Sequence, residues 1–273
     1  MKDCQSIRRS HKGVDIINYY DPKQEIVYVI WLGGTLSVLA VLPYTFSLQQ
    51  DLLQSAPFSL PVPALLSLLQ SIVLLAIATS LGLFFAKKVG FKFTVLEQVL
   101  LGKSNAIQWK DFLRLPILLG IITAVVIFSG DWLFKLAGVV IDDKYVTEIP
   151  IWNRFLAAFY GGIGEEILLR LFLLGMLVWI FGKITQSETP LSRSGLVWSA
   201  IAITSIIFGL GHLPATSMIT DLTPLVITRA IVLNGIAGLA FGWLYWQRGL
   251  ESAITAHFTA DLMILIVLPA ILA

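Results

Sequence analysis

Residues 26–50 read IVYVIWLGGTLSVLAVLPYTFSLQQ, a stretch without a single Asp, Glu, Lys or Arg. About 20 helical residues cross the hydrocarbon core of a bilayer, so this segment predicts a membrane span. The whole chain points the same way. Of its 273 residues, 57% are hydrophobic and only 13% charged, and the mean hydropathy is +0.84. A soluble domain is about a quarter charged. So few charged side chains cannot coat a water-facing surface over that much apolar mass, and a bilayer has to solvate most of it. The composition argues against nucleic-acid binding, disorder and a secreted disulfide framework. The lone cysteine, Cys4, permits neither an internal disulfide nor a multi-cysteine metal site.

Working outward from this span, residues 1–25 are polar and carry Lys2, Arg8, Arg9, Lys12 and Lys23. They lack the apolar core and small-residue cleavage site of a signal peptide and are expected to form a cytoplasmic tail. Residues 52–86 are again uncharged after Asp51, but Pro57, Pro61 and Pro63 place the helix start near Val62, because proline is best tolerated in a first turn. A second span is expected at 62–86. Residues 87–114 form a basic, interfacial loop with Lys87, Lys88, Lys92, Lys103, Lys110 and Arg114. Further spans are expected at 115–141, 151–182, 194–219, 222–246 and 252–272. The fold class is all-α, a polytopic transmembrane helical bundle of seven spans, eight being the alternative count. It divides into the tail 1–25, amino-terminal spans over 26–141 and a carboxy-terminal core over 150–273. Lys and Arg concentrate in alternate loops, 87–114, 183–193 and 247–251, which puts the amino terminus on the cytoplasmic side of a multi-pass cell-membrane protein.

Ionisable groups at membrane depth cost a few kcal/mol each and are functional suspects. They cluster late in the chain. In GGIGEEILLR, residues 161–170, Glu166 and Arg170 are four apart and can pair, while Glu165 projects about 100° away. A carboxylate left unpaired in a low-dielectric cavity suits a general base. In FGLGH, residues 208–212, Gly209 and Gly211 leave room for a neighbouring helix or a substrate backbone to approach His212 closely. In HFTAD, residues 257–261, His257 and Asp261 are four apart and project to one side. A water-filled cavity is expected at the glycines around Glu165 and His212. More bland readings attach to Asp131 with Lys135 as a structural pair, to Arg229 as a partner for a carboxylate or a snorkelling residue, and to GLAFG at 238–242 as a close-packing motif.

Taken in order, EExxxR, FxxxH and HxxxD on three late spans resemble the CPBP family, the CAAX-processing and bacteriocin-processing intramembrane proteases also called Abi. The resemblance covers residues 150–265. It implies an endopeptidase acting on a membrane-associated or prenylated substrate, with membrane lipid as a second partner. It makes Glu165 the glutamate that activates water, Glu166 and Arg170 its supporting pair, and His212, His257 and Asp261 the rest of the site. Two mechanisms fit these residues. In one, His212, His257, Asp261 and Glu165 supply ligands to Zn²⁺, which activates the water. In the other, Glu165 and His212 activate water without a metal, and His257 with its partner stabilises the oxyanion. Many members of the family have Asn where this chain has Asp261, and an aspartate favours the metal or a role in orienting His257. The reading from a different class is a transporter or a catalytically silent immunity or scaffold protein, since ion pathways also use buried carboxylates.

Overall fold

In the computed structural model, the described residues are 22–48, 61–141 and 148–272, excepting the side chains of 22–24 and 61–64. Most of the expected tail, with Cys4, and parts of the 49–61 and 142–154 loops lie outside them. Among the described residues, seven helices are long and apolar enough to cross a membrane, and there is no strand. In chain order the helices are α1 (Pro22–Leu48), α2 (Pro61–Val89), the short α3 (Thr94–Leu100), α4 (Trp109–Leu136), α5 (Ile151–Ile184), α6 (Ser194–Gly211), α7 (Pro224–Arg248) and α8 (Leu250–Leu272). A further turn, Leu213–Thr216, follows α6.

The surface is apolar where a soluble protein would be polar. Leu36, Leu66, Trp132 and Leu133 are all more than half exposed, a pattern that only lipid accommodates over so many faces. The chain is thus a multi-pass helical membrane protein. The third span departs from the expected 115–141: Lys110, Asp111 and Arg114 are helical, and α4 ends at Leu136. Gly138 stops it. With φ at +104° it takes the left-handed position, and the amides of Gly138 and Val139 close on the carbonyls of Lys135 and Phe134.

Inside the bundle, small residues let backbones approach, as membrane helices require when lipid supplies no hydrophobic drive between them. Between α6 and α7, a Cβ added to Gly209 would lie 2.6 Å from Ile231 Cα, and one added to Gly238 would lie 2.7 Å from Ser205 Cα. The close-packing reading of GLAFG therefore holds.

Helix α5 is not a regular α-helix throughout. Instead it is π-helical over Tyr160–Glu165 and Ile167–Leu174, a widened i→i+5 turn that often marks a functional site. In this stretch Ile167, Leu171 and Leu174 are buried, and the first two fit against Gly34 of α1 and Gly82 of α2. A third π-helical stretch, Met263–Val267, precedes Pro269 in α8. Proline cannot donate to the carbonyl four residues back, so Leu265 O would lack that partner; Arg154 Nη1 donates to it at 2.9 Å.

Polar contacts knit both ends of the bundle. At one end the basic loops meet: Arg248 Nη1 donates to Asp111 O, Trp246 Nε1 donates to Leu191 O, and Glu251 Oε1 accepts from the amides of Val95 and Leu96, capping α3. At the opposite end Asn153 Nδ2 donates to Ser47 Oγ and Thr220 Oγ1 to Val140 O. Asp131 sits between Lys135, 3.8 Å away, and Arg229, whose Nε donates at 2.6 Å, so α4 and α7 share one carboxylate.

Gly238→Val forces a branched side chain into Ser205. Overpacking costs about 1–3 kcal/mol, so the detergent-solubilised variant is expected to melt below the wild type. Gly195→Ala, where an added Cβ meets nothing within 4 Å, is expected to leave the melting temperature unchanged.

Candidate active site

Two glycines bring the carboxylates of α5 and α8 side by side. A Cβ on Gly162 would lie 2.9 Å from Phe258 Cβ, and one on Gly161 would collide with the Asp261 carboxylate and lie 3.3 Å from His257 Nε2. Only residues without a side chain permit this approach. The expected cavity is therefore corrected at Gly161 and Gly162, where a neighbouring helix fills the room, and at Gly209 the close approach of a neighbouring helix, α7, is as expected. Gly211 alone of this group has open space around an added Cβ.

The resulting cluster has a sealed side and an open side. On the sealed side, Glu166, Arg170 and His257 are 0%, 2% and 4% exposed. Glu166 Oε1 lies 3.0 Å from Arg170 Nη1 and 2.7 Å from His257 Nδ1. An ionised carboxylate only accepts, so the Nδ1 proton belongs to His257 and is donated to Glu166. Two aromatic rings enclose the guanidinium: Arg170 Cζ stands 5.0 Å from the centre of Phe208 and 5.6 Å from that of Phe241. Such contacts partly replace lost hydration of a cation. Its Nη2 donates to Gly238 O at 3.4 Å. Phe241 also stacks on the imidazole of His257, with ring centres 4.6 Å apart and planes 25° apart.

On the open side, His257 Nε2 faces Glu165 Oε2 at 3.7 Å and Asp261 Oδ1 at 3.8 Å. Both separations exceed a direct hydrogen bond. The side chains of Glu165 and Asp261 are 21% and 23% exposed, so they are the accessible acids of the group. Glu165 has no direct ion pair with Arg170 among the described residues, in keeping with its expected independence.

Helix α6 ends at Gly211, and His212, which follows it, forms no hydrogen bond or ion pair with the cluster among the described residues. His212 Nδ1 donates to Phe208 O at 2.9 Å, and its ring meets the edge of Phe208, which also meets His257. The ligand set expected for Zn²⁺, His212 with His257, Asp261 and Glu165, is not gathered: among the described residues no three His, Cys, Asp or Glu side chains are arranged to hold a metal ion. As placed, these residues do not fit one. The partner that orients His257 is likewise Glu166, not Asp261 as the four-residue spacing suggested. Sequence reasoning missed Phe241 and gave Phe208 no task of its own. Both lie inside the quoted motifs, yet an apolar residue in an apolar span carries no mark of the cation it will cover.

A carboxylate, a guanidinium and an imidazole buried within a multi-pass bundle define a membrane protein with ionisable groups at depth. Residues 147–263 match the family model described as Type II CAAX prenyl endopeptidase Rce1-like. This carboxy-terminal segment is thus similar to the CAAX-processing family, the CPBP proteases, a family of membrane endopeptidases. No curated relative and no solved structure matches the chain.

Removing one partner of a sealed ion pair leaves the other charge buried and uncompensated, at about 3–5 kcal/mol. Arg170→Met is therefore expected to lower stability in detergent by that order, read from denaturant unfolding followed by tryptophan fluorescence. Asp261→Asn, on the open side, is expected to change stability by less than about 1 kcal/mol, as for substitutions away from buried networks.

Proposed function

We propose that this chain is a glutamate-dependent intramembrane endopeptidase that hydrolyses a membrane-associated or prenylated peptide. The observation that carries this reading is the position of Glu165: an accessible carboxylate, not tied up by Arg170, facing a histidine whose other nitrogen is already held. Separations of 3.7 and 3.8 Å from His257 Nε2 to Glu165 and Asp261 are spans that one water closes. Glu165 accepts a proton from that water as its oxygen attacks the scissile carbonyl carbon. His257, fixed through Nδ1 by Glu166 and protonated at Nε2, donates to the developing oxyanion. Collapse of the tetrahedral intermediate breaks the C–N bond, and the proton held by Glu165 passes to the leaving amine. Arg170 and Glu166 position the imidazole, and Asp261 orients the water. Among the described residues no hydrogen bond or ion pair joins His212 to Glu165, and this reading gives water activation to Glu165. The apolar outer faces of the bundle suit a substrate that arrives through the bilayer, and the amino terminus is assigned to the cytoplasmic side on the basic loops gathered at one end.

Glu165→Gln keeps the shape and removes the base. In proteoliposomes with a prenylated reporter peptide, it is expected to cut kcat by about 10²-fold or more, the usual worth of a positioned acid–base group. Unchanged cleavage with Glu165→Gln, or carboxylate-dependent proton flux without any cleaved peptide, would show that the site does other work. Wild-type hydrolysis is expected to survive removal of metals by chelation. Loss on chelation with recovery on adding Zn²⁺ would replace this mechanism by a metal-assisted one.

A further inference from the structure

A cavity, about 390 Å³ in volume, opens at the bundle end where the basic loops gather, between the last turns of α2 and α5 and the loop that follows α5. Lys88, Trp179, Lys183, Gln186, Ser187 and Glu188 contribute to its lining. Lys88 stands over the ring of Phe84 at 5.5 Å, and Trp179 packs on Phe85 with centres 5.3 Å apart. Neither Lys88 nor Lys183 forms an ion pair with a carboxylate among the described residues. Two ammonium groups therefore converge on one cavity against a single acid, Glu188, a balance that suits a monoanion.

The loop is built in a way that favours such a guest. Gln186 has φ at +50° and is the sole non-glycine with positive φ among the described residues. It occupies the position after a helix end where glycine is the usual choice. A long amide side chain held in a conformation unfavourable to it points to a use for that side chain. The same turn engages the carbonyls that would repel an anion: Phe181 O accepts from Thr185, Gly182 O from the amide of Ser187, and Lys183 O from that of Gln186. Tryptophan and lysine at the end of a span are also the residues that sit at headgroup level.

We propose that this cavity binds a phosphate-bearing monoanion. Lys88 and Lys183 balance its charge, and Gln186 and Ser187 donate hydrogen bonds to its oxygens. A lipid headgroup and a soluble phosphate present the same chemistry, so the test has two arms. In the first, the full chain is placed in phosphatidylcholine nanodiscs containing phosphatidylglycerol, and native mass spectrometry measures the anionic lipid retained. In the second, inorganic phosphate is titrated into the chain in phosphatidylcholine alone, with calorimetric detection. The variants are Lys88→Gln with Lys183→Gln, and separately Gln186→Gly, which relaxes the strained backbone and so keeps the fold intact. Expected is binding in at least one arm that falls tenfold or more in the double variant and severalfold in Gln186→Gly, the latter melting no lower than wild type. Binding in the lipid arm identifies a headgroup, and binding in the phosphate arm a soluble ligand. Equal retention and equal phosphate binding in wild type and both variants would overturn the proposal.

Discussion

A carboxylate, a guanidinium and an imidazole sealed at membrane depth tolerate each other only while each remains paired, and this constraint organises the carboxy-terminal half of the bundle. Glu166 serves Arg170 and His257 through one oxygen. Arg170 is further enclosed by Phe208 of α6 and by Phe241 and Gly238 of α7, while His257 comes from α8. Four helices thus meet on one charged group. A slip of any of them along its axis strips a partner from a buried ion. Close backbone approach at Gly162, Gly209 and Gly238 makes that convergence sterically available.

The same cluster separates the groups that are sealed from those that the proposed chemistry uses. Groups on the sealed side, with at most 4% exposure, have no access to water and serve to hold the imidazole still. Groups on the open side, Glu165 and Asp261, are about a fifth exposed and meet the other nitrogen of the same ring. One histidine therefore links the buried ion pair to the carboxylates on the open side, where the proposed chemistry is placed. Such preorganisation is what a hydrolase needs where charge develops in the transition state.

Much of this was legible in the sequence because it is local. The Glu166–Arg170 pair follows from helical spacing, and the suspicion attached to Glu165, His257 and Asp261 follows from the cost of placing them in lipid. The partner of His257 was not legible: the hydrogen bond comes from Glu166, 91 residues away, whereas the local spacing favoured Asp261. His212 was assigned to the cluster because its motif belongs with the others, yet among the described residues its ring contact toward the cluster is with Phe208, which in turn meets His257. Glycines beside the acids read as room for water and turned out to be room for a helix. In each case the sequence marks a residue as unusual without saying which neighbour makes use of it.

By itself, then, the sequence determined the solvent, the number of spans within a few residues of their ends, and the short set of ionisable residues that needed an explanation. These are one-dimensional properties, fixed by the length of uncharged runs and by the helical repeat. Tertiary structure alone decided which acid holds His257 and which stays accessible, that α5 widens into π turns beside its buried contacts, and that Lys88 and Lys183 share a cavity. Those outcomes depend on how closely separate helices approach, and that distance is set by packing between residues far apart in the chain.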